Sequence, residues 1–135
     1  MKTPSRIALT IDLTQPGKHT GDAMLRWSDN RNPLGYHPVP VVSVKGADGP
    51  VLLLTGGTHG DEFEGPAAIM RVLQSVHPSA LRGQIIAFPA LNMPAFAASS
   101  RVSPLDGGNL NRAFPGAVDG GPTAMIAHFL EAEIL

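Results

Sequence analysis

The sequence predicts an α/β fold: a strand–helix–strand unit behind a small β-rich lead-in. Two apolar runs, residues 51–55 and 84–91, bracket an amphipathic stretch at 66–76. The first 50 residues instead hold short, partly alternating segments broken by glycines and prolines, which is the pattern of strands and turns. The chain divides accordingly into a lead-in, residues 1–45, and an α/β segment, residues 46–135.

In the lead-in, residues 6–13 and 22–28 read as strands, with a turn at Gln15-Pro-Gly-Lys18 and a polar loop at 29–33. Residues 37–45 read as a third strand. Its two prolines, Pro38 and Pro40, cannot donate to a ladder, so its start belongs at an edge. Residues 51–55 then form a short apolar strand expected to be covered on both faces. It stops at Gly56-Gly57.

Residues 66–76 form a helix with Ile69, Met70, Val72, Leu73 and Val76 on one face and Arg71, Gln74 and Ser75 on the other. Pro66 suits its first turn and His77-Pro78 ends it. A crossover of this length between two apolar strands predicts parallel pairing. A short helix at 93–100, a long Gly/Asn/Pro-rich loop at 101–121 and a helix over 122–135 follow.

The chain has 135 residues and is 43% hydrophobic and 16% charged, enough for one domain with a core and too apolar for disorder. A net charge of -1 gives no field for nucleic acid or an anionic membrane. With no cysteine, disulfides and thiolate metal sites are excluded, so a metal would need His, Asp or Glu. No stretch approaches the roughly 20 apolar residues of a membrane span. The N-terminus lacks a signal-peptide pattern, so a cytoplasmic protein is expected. The last helix runs to the final residue without a C-cap. The chain is therefore read as the N-terminal portion of a longer protein. Its open-edged sheet leaves room for a homo-oligomer.

Two stretches can carry chemistry. In the first, His59 and Glu62 stand three residues apart after the glycine pair, a spacing that suits two zinc ligands. Extending the helical wheel backwards puts Glu62 seven residues before Ile69, on the apolar face, and Glu64 on the solvent face. The plainer reading also stands: Asp61, Glu62 and Glu64 as first-turn acids favoured by the helix dipole. In the second, Asn109-Leu-Asn111-Arg112 lies in the long loop, where Leu110 and Phe114 can pin the backbone. Arg112 suits bidentate capture of a carboxylate and the asparagines suit neutral polar groups. Alone, the loop also reads as a solvated turn, and Arg101 alone is an ordinary surface residue. The other histidines lack ligand spacing to His59, and no G-x-S-x-G, Walker A or G-x-G-x-x-G motif occurs.

Together, Gly56-Gly-Thr-His-Gly-Asp-Glu-Phe-Glu-Gly65 and Asn109-Leu-Asn-Arg-Ala-Phe-Pro-Gly116 resemble the succinylglutamate desuccinylase/aspartoacylase family. Within it they lie nearest the branch that includes Nα-acetyl-diaminobutyrate deacetylases. The resemblance implies the N-terminal part of a zinc-carboxypeptidase-like (phosphorylase/hydrolase-like) three-layer α/β/α fold. It implies one zinc ion held by His59 and Glu62, Asn111 and Arg112 binding substrate, and Arg101 near the scissile carbonyl as an electrophilic stabiliser. The activity implied is hydrolysis of the amide of a small N-acyl amino acid. The family also needs a third ligand, a histidine ending a strand after the last helix, and a downstream glutamate as general base; neither is in this sequence. Weak zinc binding and little turnover are therefore expected of these 135 residues. A non-catalytic binding or vestigial module and a peptide-cleaving zinc carboxypeptidase are the other readings.

Overall fold

The computed structural model describes residues 3–135. In chain order the strands are β1 (Ala8–Leu9), β2 (Gly17–Arg26), β3 (Tyr36–Lys45), β4 (Ala47–Thr55) and β5 (Arg82–Phe88). The helices are α1 (Glu64–Ser75), α2 (Met93–Ala97) and α3 (Pro122–Phe129), the last continuing as a π-helical turn over Leu130–Ile134. All five strands form one mixed sheet in the order β1-β2-β3-β5-β4. β4 and β5 are parallel, as the crossover length requires, and the other pairs are antiparallel. No helix among the described residues is long and apolar enough to cross a membrane.

The side-chain alternation of β5 builds two cores. Ile85 and Ala87 face α1, packing with Ile69, Leu73, Val42 and Val44. Ile86 and Phe88 face the other way, onto Met125, Ile126, Phe129 and Leu130 of α3 and its extension. The class is α/β, with a helix layer on each face of the sheet. Phe88 and Phe129 meet edge-to-face at 5.9 Å, a favoured aromatic geometry. Gln84 is buried where the lead-in meets this unit. Its Nε2 donates to Leu13 O at 2.7 Å and Ser43 Oγ at 2.8 Å, so an otherwise costly buried amide is partnered.

Three expectations change. Among the described residues β4 is not covered on both faces: β5 inserts between β3 and β4, which leaves β4 at the edge with Val51 61% and Leu52 53% exposed. The strand read at 6–13 contracts to Ala8–Leu9, because Asp12 pulls the following residues into a turn. On α1 only Pro66, Ile69 and Leu73 are buried, while Met70 and Val72 flank the contact and stay exposed. The prolines of β3 behave as read: Pro38 and Pro40 pair only with β2, and β5 joins β3 from Val42 onward. His128 is half-buried and donates through Nε2 to Thr3 O at 2.9 Å.

The Asp12 turn yields a pH prediction. Its carboxylate accepts from the Thr14 hydroxyl at 2.6 Å and the Thr14 N–H at 2.8 Å. Those bonds, the hydroxyl first, lower its pKa from 3.8 to about 2. A depressed carboxylate stabilises the fold above its unfolded pKa, and that contribution disappears as pH falls through the folded value. We expect the Asp12 carboxyl carbon to titrate near 2 by NMR. Thr14→Val should move the midpoint upward; an unmoved midpoint would show that the hydroxyl is not the cause.

Candidate metal centre

The site forms where β4 gives way to α1. Beyond Thr55 the chain is stitched to the continuation of β5: Gly56 N donates to Phe88 O at 3.0 Å, and Leu91 N to Gly56 O at 2.8 Å. Asn92 N then reaches Gly57 O at 3.2 Å. Gly57 has φ +65°, and a Cβ there would lie 3.1 Å from Ala90 Cα, so the sharp bend needs glycine. A turn follows in which Glu62 N donates to His59 O at 3.3 Å. That turn, not the helix, aims the carboxylate. α1 starts at Glu64, so the helical phase read for Glu62 does not apply, and the Glu62 side chain is 58% exposed.

His59 is 8% exposed and engaged at both ring nitrogens. Nδ1 lies 3.1 Å from Glu62 Oε1. Nε2 lies 3.1 Å from Asn109 Oδ1. The latter atom also accepts the Asn111 N–H at 3.1 Å, which identifies it as the amide oxygen. An oxygen acceptor facing Nε2 requires Nε2 to carry the proton. In neutral imidazole the Nδ1 lone pair then faces an anionic oxygen. Two acceptors at that distance need a cation between them, either a proton or a metal ion.

The donors fit zinc. Imidazole nitrogen and carboxylate oxygen each bind it at about 2.0–2.2 Å, which puts two tetrahedral ligands about 3.4 Å apart; the observed 3.1 Å is close to that. Asn109 supplies the outer hydrogen bond that metal-bound histidines usually have. Among the described residues no third His, Cys, Asp or Glu joins the pair.

The other predicted residues surround this centre unevenly. Arg101 Nη1 donates to Glu62 Oε1 at 3.3 Å, so it shares the carboxylate oxygen with His59. Asn111 and Arg112 stand on the short 3-10 turn Leu110–Arg112, exposed above the fully buried Leu110. Among the described residues Arg112 Nη1 bonds only the neighbouring Asn111 carbonyl, at 3.3 Å. Phe63 and Phe96 meet edge-to-face at 5.6 Å, beginning one residue beyond Glu62. A 600 Å³ cavity elsewhere is lined by Arg6, Trp27 and Met125 and excludes His59. The site is recognised by its donor set, not by concavity. The role of Asn109 escaped the sequence, which showed only a polar loop residue. The signal was Asn-x-Asn, an asparagine able to accept the N–H two residues on.

Residues 48–134 match the family model of the succinylglutamate desuccinylase/aspartoacylase catalytic domain. The N-alpha-acetyl-L-2,4-diaminobutyric acid deacetylase of Halomonas elongata is 42% identical over 126 residues, covering 93% of this chain and 37% of that protein. A succinylglutamate desuccinylase crystal structure from Silicibacter sp. TM1040 superposes with TM-score 0.93 at 40% identity, over 97% of this chain and 40% of its own. The product-bound ectoine utilization protein EutE (DoeB) of Ruegeria pomeroyi gives the same TM-score, 0.93, at 40% identity and the same coverages, 97% and 40%. This chain thus spans about two fifths of the length of these relatives.

Proposed function

The chain belongs to the succinylglutamate desuccinylase/aspartoacylase family, and from that premise we propose that it carries part of the active site of a zinc-dependent deacylase. The substrate is a small N-acyl amino acid whose amide bond is hydrolysed. The observation that carries this reading is the His59 ring: Nε2 committed to Asn109, Nδ1 facing the Glu62 carboxylate. Residues 46–135 supply the catalytic part and residues 1–45 a β-rich lead-in to it.

His59 and Glu62 hold the zinc, which when bound polarises an amide carbonyl and acidifies a water molecule. The remaining work belongs to side chains. Asn109 keeps the His59 proton on Nε2, so the Nδ1 lone pair stays available. Glu62 contributes negative charge. Arg101, already within hydrogen-bond reach of Glu62, brings donors to the oxygen that gains charge as the amide is attacked. Arg112 keeps most of its guanidinium fork free of partners among the described residues and takes the substrate carboxylate, with Asn111 beside it.

Titrating the chain with Nα-acetyl-2,4-diaminobutyrate should shift the amide resonances of residues 109–112. Arg112→Ala should weaken that binding about 10- to 100-fold, the loss of charge-assisted hydrogen bonds of about 1.5–3 kcal/mol. Unchanged affinity would remove Arg112 from the carboxylate role. An unblocked peptide that binds as well and is cut would favour the carboxypeptidase reading instead. The two-ligand donor set of the described residues favours a second reading for these 135 residues alone, a binding module without turnover. Tight stoichiometric zinc together with deacylation by this chain would exclude it.

A further inference from the structure

The geometry points to Asp106 as a positioning residue for the His59 centre, acting through Asn109. Its Oδ1 accepts the Thr123 hydroxyl at 2.7 Å and the Gly108 N–H at 2.9 Å, and its Oδ2 accepts the Thr123 N–H at 2.9 Å. Thr123 is 3% exposed and sits in the first turn of α3, after Gly121 and Pro122. Its N–H is one of the donors that a helix leaves unpaired at its start, so the carboxylate caps α3 from a distant loop. The contact is tight: a Cβ on Gly108 would lie 2.4 Å from Thr123 Oγ1.

The same loop is closed on itself by Gly107 N to Ser103 O at 2.8 Å and Ser103 N to Gly108 O at 3.0 Å. Asn109 comes one residue after this closure and one before the fully buried Leu110. It is therefore held from both sides, by Asp106 on α3 and by Leu110 in the core. Without Asp106 the loop loses its tie to α3 and keeps only the Ser103 closure and the bonds of the Leu110 turn. Asn109 Oδ1 could then drift from the 3.1 Å contact with His59 Nε2, and the imidazole would lose what fixes its proton. Asp106 touches neither His59 nor any group that would meet substrate. Its effect on zinc rests on the metal reading above; its effect on the His59 ring does not.

The test uses the 15N-histidine-labelled 135-residue chain, first metal-free and then titrated with zinc. In the wild type the His59 Nε2 proton, shielded by its bond to Asn109, should give an observable resonance. Asp106→Ala should lose that resonance to solvent exchange and raise the zinc dissociation constant about tenfold, the scale of an outer-shell loss. Thr123→Val, which keeps the backbone N–H, should weaken both effects in the same direction, and Thr123→Ser should restore both. If Asp106→Ala fails to fold, Thr123→Val decides. A lowered melting temperature with the Nε2 resonance intact would overturn the assignment, since that is a purely structural role. If the wild type takes up no zinc while the resonance still vanishes in Asp106→Ala, the metal reading fails and the positioning role stands.

Discussion

Replacing His59 with alanine should abolish zinc binding by this chain, with a dissociation constant at least about a hundredfold higher. Removing an outer-shell partner costs about 10- to 100-fold in metal affinity, and removing a ligand costs more. Here the loss is half of the proposed His59–Glu62 pair, which leaves one carboxylate that is 58% exposed and well solvated. Calorimetric zinc titration would read the effect directly, with circular dichroism to confirm the sheet. The comparison that gives the result meaning is Glu62→Ala against Glu64→Ala. If the acids after the glycine pair serve only the helix dipole, the two should act alike and neither should touch zinc. If Glu62 is a ligand, Glu62→Ala should resemble His59→Ala, and Glu64→Ala should leave the titration unchanged. Wild-type zinc affinity in His59→Ala would remove the centre altogether.

That contrast also shows what the sequence could and could not disclose. The β4–α1–β5 unit was readable because an apolar run, a glycine pair and a 3.6-residue period occur in sequence, and each is a local signal. Strand order was not, because nothing near Val51 or Leu52 records that β5 will lie between β3 and β4. A continuous apolar run reads as a buried strand, yet among the described residues it lies at the edge of the sheet. Glu62 meets the His59 ring through a local turn onto the His59 carbonyl and not through a helical phase, because α1 starts only at Glu64. Asn109 was visible only as a polar loop residue. Its hydrogen bond to His59 spans 50 positions, and no local pattern encodes a contact that depends on where α3 anchors a loop.

The same dependence on packing makes Gly60→Ala the most damaging conservative change expected near the site. A Cβ at Gly60 would lie 2.0 Å from both Ala95 C and Ala95 O, and 2.4 Å from Phe96 N. These are backbone atoms, so no rotamer change relieves the overlap. Ala95 is fully buried, and its helix is tied down by Asn92 N to Gly57 O at 3.2 Å and Phe96 N to Asn92 O at 2.9 Å. The displacement must therefore fall on the turn that carries His59 and Glu62. Overpacking usually costs about 1–3 kcal/mol, and contact with backbone belongs at the upper end. A loss of about 3 kcal/mol lowers Tm by on the order of 10 °C at this chain length. Gly65→Ala is the matched control. It adds the same methyl group to α1, where the nearest atom, Gly56 Cα, is 3.6 Å away, and alanine is worth up to about 1 kcal/mol over glycine within a helix. Thermal unfolding of the two variants should therefore diverge in sign, with zinc binding lost only in Gly60→Ala. Equal melting temperatures would mean that the turn does not rest on α2, and the His59–Glu62 geometry would lose its support.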